Sequence, residues 1–286
     1  MALCARSRAL ELPALLGLWH LSSLDAPTVA VTWSFAFAWM MGVALPRAVP
    51  LLLALIAWAI YVSDRLLDAR AAFGASNVAG LRERHFFHWR HRRVLLPGAV
   101  AAAALALVII LACLTPGVRD RDSVLGLATL AYFSGVHLPH RHRKRLSSLV
   151  TKEFLVGLLF TAGCVLPTVS RLRETPAFPA TLLPLVLPGL VFAALAWLNC
   201  AAIDCWESGT RRGIAAPACL VGIGGLSLAL LLGASQPRAA ALLVAAGASA
   251  ALLALLDRVR FRLTPLAMRT AADLVLLTPV FLLTVR

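Results

Sequence analysis

The sequence predicts an all-α, polytopic membrane protein, and three observations carry that prediction. Hydrophobic residues make up 60% of the 286 positions and charged residues only 14%, with a mean hydropathy of +0.85. Apolar stretches of about 20 residues recur along the chain, long enough to cross a ~30 Å hydrocarbon core. These runs are continuous and rich in Ala and Leu rather than alternating. Of the two backbone arrangements that satisfy their own hydrogen bonds in lipid, the pattern therefore selects helices over a closed barrel. Spans are expected at about 27–45, 48–66, 94–113, 122–139, 150–169, 180–204, 213–234, 238–256 and 267–285. Residues 1–286 read as one integral-membrane domain, since no connection between spans is long enough for a separate soluble one.

Taken in order, residues 1–24 contain a weakly amphipathic stretch, Ala9-Leu10-Glu11-Leu12-Pro13 through His20-Leu21, that suits an interfacial helix. We expect no removable signal peptide, because the chain opens with Arg6, Arg8 and Glu11 and its first long apolar run begins only near Pro27. Asp25-Ala26-Pro27 reads as a helix start, with Asp at the cap and Pro in the first turn. The segment of about 69–93 mixes Arg82, Arg84, His85, His88, Arg90, His91, Arg92 and Arg93 with Phe86, Phe87 and Trp89, a composition suited to a helix at headgroup level. A second basic segment runs through His137, His140, Arg141, His142, Arg143, Lys144 and Arg145. The opposite connections are short and marked by Leu45-Pro46, Thr115-Pro116-Gly117 and Ser235-Gln236-Pro237. The fifth span opens with Lys152-Glu153, and Gly157 and Gly163 within it permit close helix approach.

The net charge of +14 invites a nucleic-acid partner, but its distribution argues against one. With the N-terminus inside, the outer side holds only Arg47, Arg119, Arg121, Arg171, Arg173, Arg238 and Arg286, against all the remaining Lys and Arg of the 27 on the inner side. The positive-inside rule then orients nine spans with the N-terminus cytoplasmic and the C-terminus outside. The basic loops face anionic lipid or an anionic substrate. The six cysteines, Cys4, Cys113, Cys164, Cys200, Cys205 and Cys219, form no Cys-x-x-Cys pair and read as small buried or lipid-facing residues.

Only 13 residues are acidic, so their positions are informative. Asp64 and Asp68 close the second span on one helical face, one turn apart. Asn199, Asp204 and Glu207 close the sixth, with Asp204 and Glu207 at i,i+3, before Gly209-Thr210-Arg211-Arg212 ends the helix. Ionisable groups at membrane depth are costly, so such pairs are candidate functional sites. Two carboxylates a turn apart can hold a hard cation such as Mg²⁺. The plainer reading is that Asp64 and Asp68 pair with Arg65 and Arg70 at the interface, and that Asp204 and Glu207 form a solvated helix end. Lys152 reads either as a point-charge contact to a phosphate or as a snorkelling lysine. The two carboxylate motifs are four spans apart, which gives them the same direction and hints at a faint internal repeat. The His-x-x-His spacings among the basic segments also fit a membrane di-iron oxidase. Their arginine neighbours oppose cation binding, however, and a headgroup-facing role is the stronger reading.

With nine spans and acidic motifs at the inner ends of spans two and six, the chain resembles the UbiA superfamily of intramembrane prenyltransferases. Asp64-Arg65-Leu66-Leu67-Asp68 matches the end of that family's first Asp-rich motif. Ile60 and Tyr61 stand where the family carries Asn and Asp. Asn199, Asp204, Glu207 and Gly209 resemble a variant of its second motif, and Tyr132-Phe133-Ser134 with Lys152-Glu153 and Gly157 is similar to the segment between. The resemblance implies helices around a central apolar cavity and a cytoplasmic site. There Asp64, Asp68, Asp204 and Glu207 would hold one or two Mg²⁺, with Arg65, Arg70, Lys152, Asn199, Tyr61 and Tyr132 contacting substrate. It implies transfer of an isoprenyl group from a prenyl diphosphate to a hydrophobic or aromatic acceptor. Trp58 and Tyr61 would offer ring faces to an allylic cation or simply anchor the interface. The alternatives are a non-catalytic, lipid-binding relative and a small-molecule transporter.

Overall fold

The computed structural model describes residues 14–74, 81–137, 149–174, 182–208 and 213–284. Among them are twelve α-helices and no strands: α1 (Ala14–Leu21), α2 (Asp25–Met41), α3 (Ala48–Gly74), α4 (Glu83–Arg90), α5 (Arg92–Cys113), α6 (Pro116–His137), α7 (Leu149–Leu172), α8 (Leu183–Glu207), α9 (Ala215–Leu232), α10 (Pro237–Val259), α11 (Pro265–Leu274) and α12 (Val280–Thr284). Six of them, α3, α5, α7, α8, α9 and α10, are long and apolar enough to cross a membrane, which marks a multi-pass membrane protein. Their outward faces carry large exposed apolar side chains, such as Leu107, Leu111, Leu190, Leu220 and Leu230. That is the surface a lipid-facing helix presents.

The helices pack through small residues and aromatic interlocks. At the α9–α10 contact, a side chain on Gly222 would meet the Gly247 carbonyl at 3.4 Å, and one on Gly247 would meet the Gly222 carbonyl at 3.2 Å. Two backbones thus touch directly, which suits association in lipid, where apolar side chains gain little from leaving the bilayer. The main core joins α2, α7, α8 and α10. Trp33 of α2 stacks on Phe192 of α8 at 3.9 Å between centroids, and Phe37 meets Phe192 edge-on at 5.9 Å. By contrast, α6 packs mainly on α7, and Val118 is its only buried residue.

Two expectations are corrected here. Asp25 is not the cap of α2. Leu24 holds that position, and its carbonyl accepts from the Thr28 N–H at 3.2 Å, while Asp25 sits in the first turn with its carboxylate turned into the protein. The last span is not continuous either. α11 gives way to a 3-10 turn, Val275–Leu277, before α12. Pro279 has no N–H to give and its ring crowds the carbonyl four residues back, so the regular helix cannot run through. The freed carbonyls are taken up by neighbouring helices: Trp33 Nε1 donates to the Leu276 carbonyl at 2.8 Å and Ser249 Oγ to the Val275 carbonyl at 2.6 Å. Thr278 Oγ1 donates to the Ala245 carbonyl at 2.8 Å. This is how a membrane fold tolerates broken helix.

Of the stretch 1–24 expected to hold an interfacial helix, residues 1–13 lie outside the described residues; α1 covers Ala14–Leu21, packs on α4 and α11 and leaves Leu15 and Leu18 exposed. Residues 138–148 of the second basic segment and Gly209–Arg212 lie outside the described residues. Among the described residues, Cys113, Cys164, Cys200, Cys205 and Cys219 are not joined in disulfides.

Candidate functional site

One end of the bundle gathers most of its polar groups. The C-terminal ends of α3 and α8, the N-terminal ends of α7 and α11, and the short helices α1 and α4 meet there. α4 is held on α3 by aromatic contacts: Phe73 stacks on Trp89 at 5.0 Å and meets Phe86 edge-on at 6.0 Å. The 85–91 histidines therefore do not all face lipid headgroups. His85 and His88 are buried.

Asp64 and Asp68 lie together on α3 with about half of each side chain exposed. The His137 ring of α6 spans them, with Nε2 3.2 Å from Asp64 Oδ1 and Nδ1 4.0 Å from Asp68 Oδ1. His85 Nε2 stands 3.9 Å from Asp68 Oδ2. The tautomer of His85 is fixed by its other nitrogen, since the Arg82 backbone N–H donates to Nδ1 at 3.0 Å. The ring proton therefore sits on Nε2, facing Asp68. Burial, then the charges of Arg84, Arg65, Arg269 and His88, push the His85 pKa down to about 3, so the ring is neutral at ordinary pH. Arg84 and Lys152 add positive potential at Asp68, and Asp204 adds negative potential at Glu153. Lys152-Glu153, at the start of α7, thus stands electrostatically between the two acidic motifs. Tyr132 of α6 lies within the field of Asp64 and Glu153.

Glu207, expected beside a metal, has its oxygens occupied by three guanidiniums. Arg84 Nη1 and Arg269 Nε approach Oε1 at 2.9 and 2.6 Å, and Arg82 Nε approaches Oε2 at 3.3 Å. Arg82 Nη2 also donates to the Glu207 carbonyl at 2.8 Å. The cluster carries net positive charge, so Glu207 acts as the counter-ion that allows three arginines to converge.

Arg65 turns away from Asp64 and into the bundle. Neighbours in a helix are rotated by about 100°, which puts Arg65 under the α1–α2 turn. Its Nη1 donates to Ser23 Oγ at 2.6 Å and to the His20 carbonyl at 3.1 Å, and its Nη2 reaches Asp25 Oδ2 at 3.5 Å. The Tyr61 ring lies 5.8 Å from the guanidinium, and Trp58 Nε1 donates to the Ser22 carbonyl at 2.9 Å. Ser23 has φ of 61°, a left-handed backbone unusual for a residue other than glycine, and its hydroxyl continues the chain to His88 Nε2 at 3.0 Å. His88 Nδ1 lies 2.8 Å from the Arg84 carbonyl and donates to it, leaving Nε2 to accept from Ser23. Burial is the main reason the His88 pKa is pushed down to about 4.

Beside Arg65 lies a second group of carboxylates. His20 Nδ1 is 2.7 Å from Asp25 Oδ2 and 3.2 Å from Asp273 Oδ2, and Asn199 Nδ2 donates to Asp273 Oδ1 at 3.1 Å. Burial opposes the charged form of His20, but Asp25 and Asp273 outweigh it and raise its pKa above the ordinary histidine value. Asn199 thus faces Asp273, and Arg65 faces Asp25, rather than the Asp64–Asp68 pair. Arg70 is exposed near the end of α3. Residues absent from the sequence reading of the site are His20, Ser23, Asp273 and Arg269. Arg269 and Asp273 are one helical turn apart on α11, a spacing visible in the sequence, but the prediction of a plain ninth span concealed it.

Comparison with protein-family models, with curated proteins and with solved structures finds no match to this chain.

Proposed function

We propose that this chain is an intramembrane transferase that moves an isoprenyl group from a prenyl diphosphate to a hydrophobic or aromatic acceptor, with Mg²⁺ as cofactor. The observation that carries the reading is the pair Asp64 and Asp68. Two half-exposed carboxylates share one face and are flanked by His137, His85, Arg84 and Lys152. Carboxylate oxygens open to water suit Mg²⁺, which takes oxygen ligands and keeps several waters. Asp64 and Asp68 would hold it, with Asp204 reaching in from α8. Bound there, Mg²⁺ would neutralise charge on the diphosphate.

The chain's own residues supply the rest. Lys152 and Arg84 offer cationic partners to the leaving diphosphate oxygens. The C–O bond between the allylic carbon and the diphosphate breaks, and its electron pair leaves with the diphosphate. A carbon or oxygen of the acceptor forms the new bond and loses a proton. His137 Nε2, 3.2 Å from Asp64 Oδ1, would donate to that carboxylate and hold it in place, and the acceptor's proton would pass to water at the half-exposed site. α6 packs mainly on α7, and in this reading the apolar chain would lie between α6 and α3. In this reading the nine passes are α2, α3, α5, α6, α7, α8, α9, α10 and the broken α11–α12. The site end is cytoplasmic by the charge rule.

The second reading is a non-catalytic, prenyl-lipid-binding protein. It is favoured by Ile60 and Tyr61 in the first motif and by the three arginines that occupy Glu207. A diphosphate-release assay separates the two. Membranes holding the protein are incubated with farnesyl or geranylgeranyl diphosphate and a panel of aromatic acceptors. Release that requires Mg²⁺ and an acceptor, and that Asp68→Asn abolishes, supports the transferase. No release above empty membranes with any acceptor favours the binding protein.

A further inference from the structure

We propose that His20, Asp25 and Asp273, with Asn199, form a site for a divalent transition-metal ion of the zinc or manganese class, separate from the Asp64–Asp68 pair. His20 Nδ1 and one oxygen of each carboxylate lie within 4.8 Å of one another. Metal–ligand bonds of about 2.0–2.2 Å place tetrahedral ligand atoms on the order of 3.4 Å apart. The 3.2 Å between His20 Nδ1 and Asp273 Oδ2 already meets that, and the 2.7 Å to Asp25 Oδ2 needs only a small widening.

A second observation points to a ligand. Asn199 is 7% exposed and touches the cluster through its amide, yet its Oδ1 is buried and has no hydrogen-bond partner. A half-turn of the amide brings that oxygen to the side of Asp273 that Nδ2 now occupies, where it would serve as a fourth ligand. Arg65 leaves room for a cation, because its shorter bonds go to Ser23 Oγ and the His20 carbonyl and its contact to Asp25 is the longest of the three. A bound ion would stand between His20 Nδ1 and the two carboxylate oxygens that it now faces at 2.7 and 3.2 Å. One imidazole with oxygen ligands suits Zn²⁺ or Mn²⁺ better than Mg²⁺ or Ca²⁺, which favour oxygen alone.

The ligands come from α1, α2, α8 and α11. An ion here would staple the short helix α1 and the broken last span to the bundle, at the same end as the candidate active site. Its role would be to fix the α1–α2 turn, on which Arg65 and Trp58 depend. The inference does not rest on the transferase reading.

The test uses full-length, tag-free protein in detergent, stripped with chelator and reloaded with Zn²⁺ or Mn²⁺. We expect about one equivalent of ion after gel filtration and a higher unfolding temperature than the stripped protein. The bound ion should be lost in His20→Ala and Asp273→Asn and kept in Asp64→Asn/Asp68→Asn. No stoichiometric ion in the wild type, or full retention in Asp273→Asn, would overturn the proposal. Should the variants fail to fold, X-ray absorption of the loaded wild type decides. One imidazole with oxygen ligands supports the site, whereas sulfur or multiple-histidine ligation refutes it.

Discussion

Gly157 offers a sharp test of how the site is held together. It lies one helical turn from Glu153 on α7, and a Cβ added there would sit 2.8 Å from the Trp197 backbone nitrogen, 3.1 Å from Trp197 Cα and 3.2 Å from the Ala193 carbonyl oxygen. Favourable carbon contacts begin at about 3.5 Å. All three atoms are backbone, so no rotamer change relieves the clash, and α7 and α8 must move apart. Overpacking of this kind costs about 1–3 kcal/mol, while Ala gains up to about 1 kcal/mol over Gly in helix propensity. Gly157→Ala should therefore lose on the order of 1–2 kcal/mol in net terms. Gly163→Ala is the internal control. Its Cβ meets only Leu53 Cδ1 at 3.9 Å, an ordinary contact, so that variant should be neutral or slightly stabilised. The assay is reversible unfolding in mixed micelles, followed by tryptophan fluorescence. Widening the α7–α8 gap also draws Lys152-Glu153 away from Asp204, so diphosphate binding should weaken in Gly157→Ala and not in Gly163→Ala. Equal stability of the two variants would refute the claim that backbone contact sets the α7–α8 spacing.

Other perturbations have equally definite outcomes. Arg65→Leu strips Asp25 of a buried cation and Ser23 Oγ and the His20 carbonyl of a donor, and should cost about 3–5 kcal/mol, read as lost folded yield and a lower unfolding midpoint. Glu207→Gln removes the counter-ion of Arg82, Arg84 and Arg269; it should destabilise this end of the bundle, seen as faster amide exchange in α4 and the first turns of α11. Asp257 accepts from the backbone N–H groups of Ile214 and Ala215 and from Trp206 Nε1, so Asp257→Ala should cost about 1–2 kcal/mol as a lost helix cap and change the Trp206 emission. For pH, His85 and His88 have folded pKa values of about 3 and about 4, below the unfolded value near 6.5. The unfolded chain then binds more protons in that range. The contribution of these two rings to stability should be full above about pH 6.5 and fall progressively as the pH drops toward 4. His85→Gln/His88→Gln should flatten the lower part of that profile, and a flat wild-type profile would contradict the buried, neutral assignment.

The sequence made some of this readable and hid the rest for physical reasons. Six long helices were legible because a membrane span is set by length and apolar composition, and both are local. The break at Val275–Leu277 depends on Pro279, which is visible, but also on Trp33 and Ser249 supplying partners for the opened backbone, which is not. Asp64 and Asp68 were legible from helical spacing. The direction of Arg65 was not, because its partners belong to the α1–α2 turn. The His20–Asp273 contact joins residues 253 positions apart, beyond the reach of any local motif. Gly157 and Gly163 read alike in sequence; only the structure separates the glycine pressed against backbone from the one whose Cβ would meet only a leucine side chain at ordinary distance. His85 and His88 read as headgroup-facing because arginines surround them in sequence. The stack of Phe73 on Trp89 instead turns α4 toward α3.

The most direct test of the central claim is Mg²⁺-dependent binding of farnesyl or geranylgeranyl diphosphate to the purified protein, wild type beside Asp64→Asn/Asp68→Asn. The account predicts binding that requires Mg²⁺ and is lost in the double variant, with folded yield preserved. Binding that ignores Mg²⁺, or that survives replacement of both carboxylates, would contradict it.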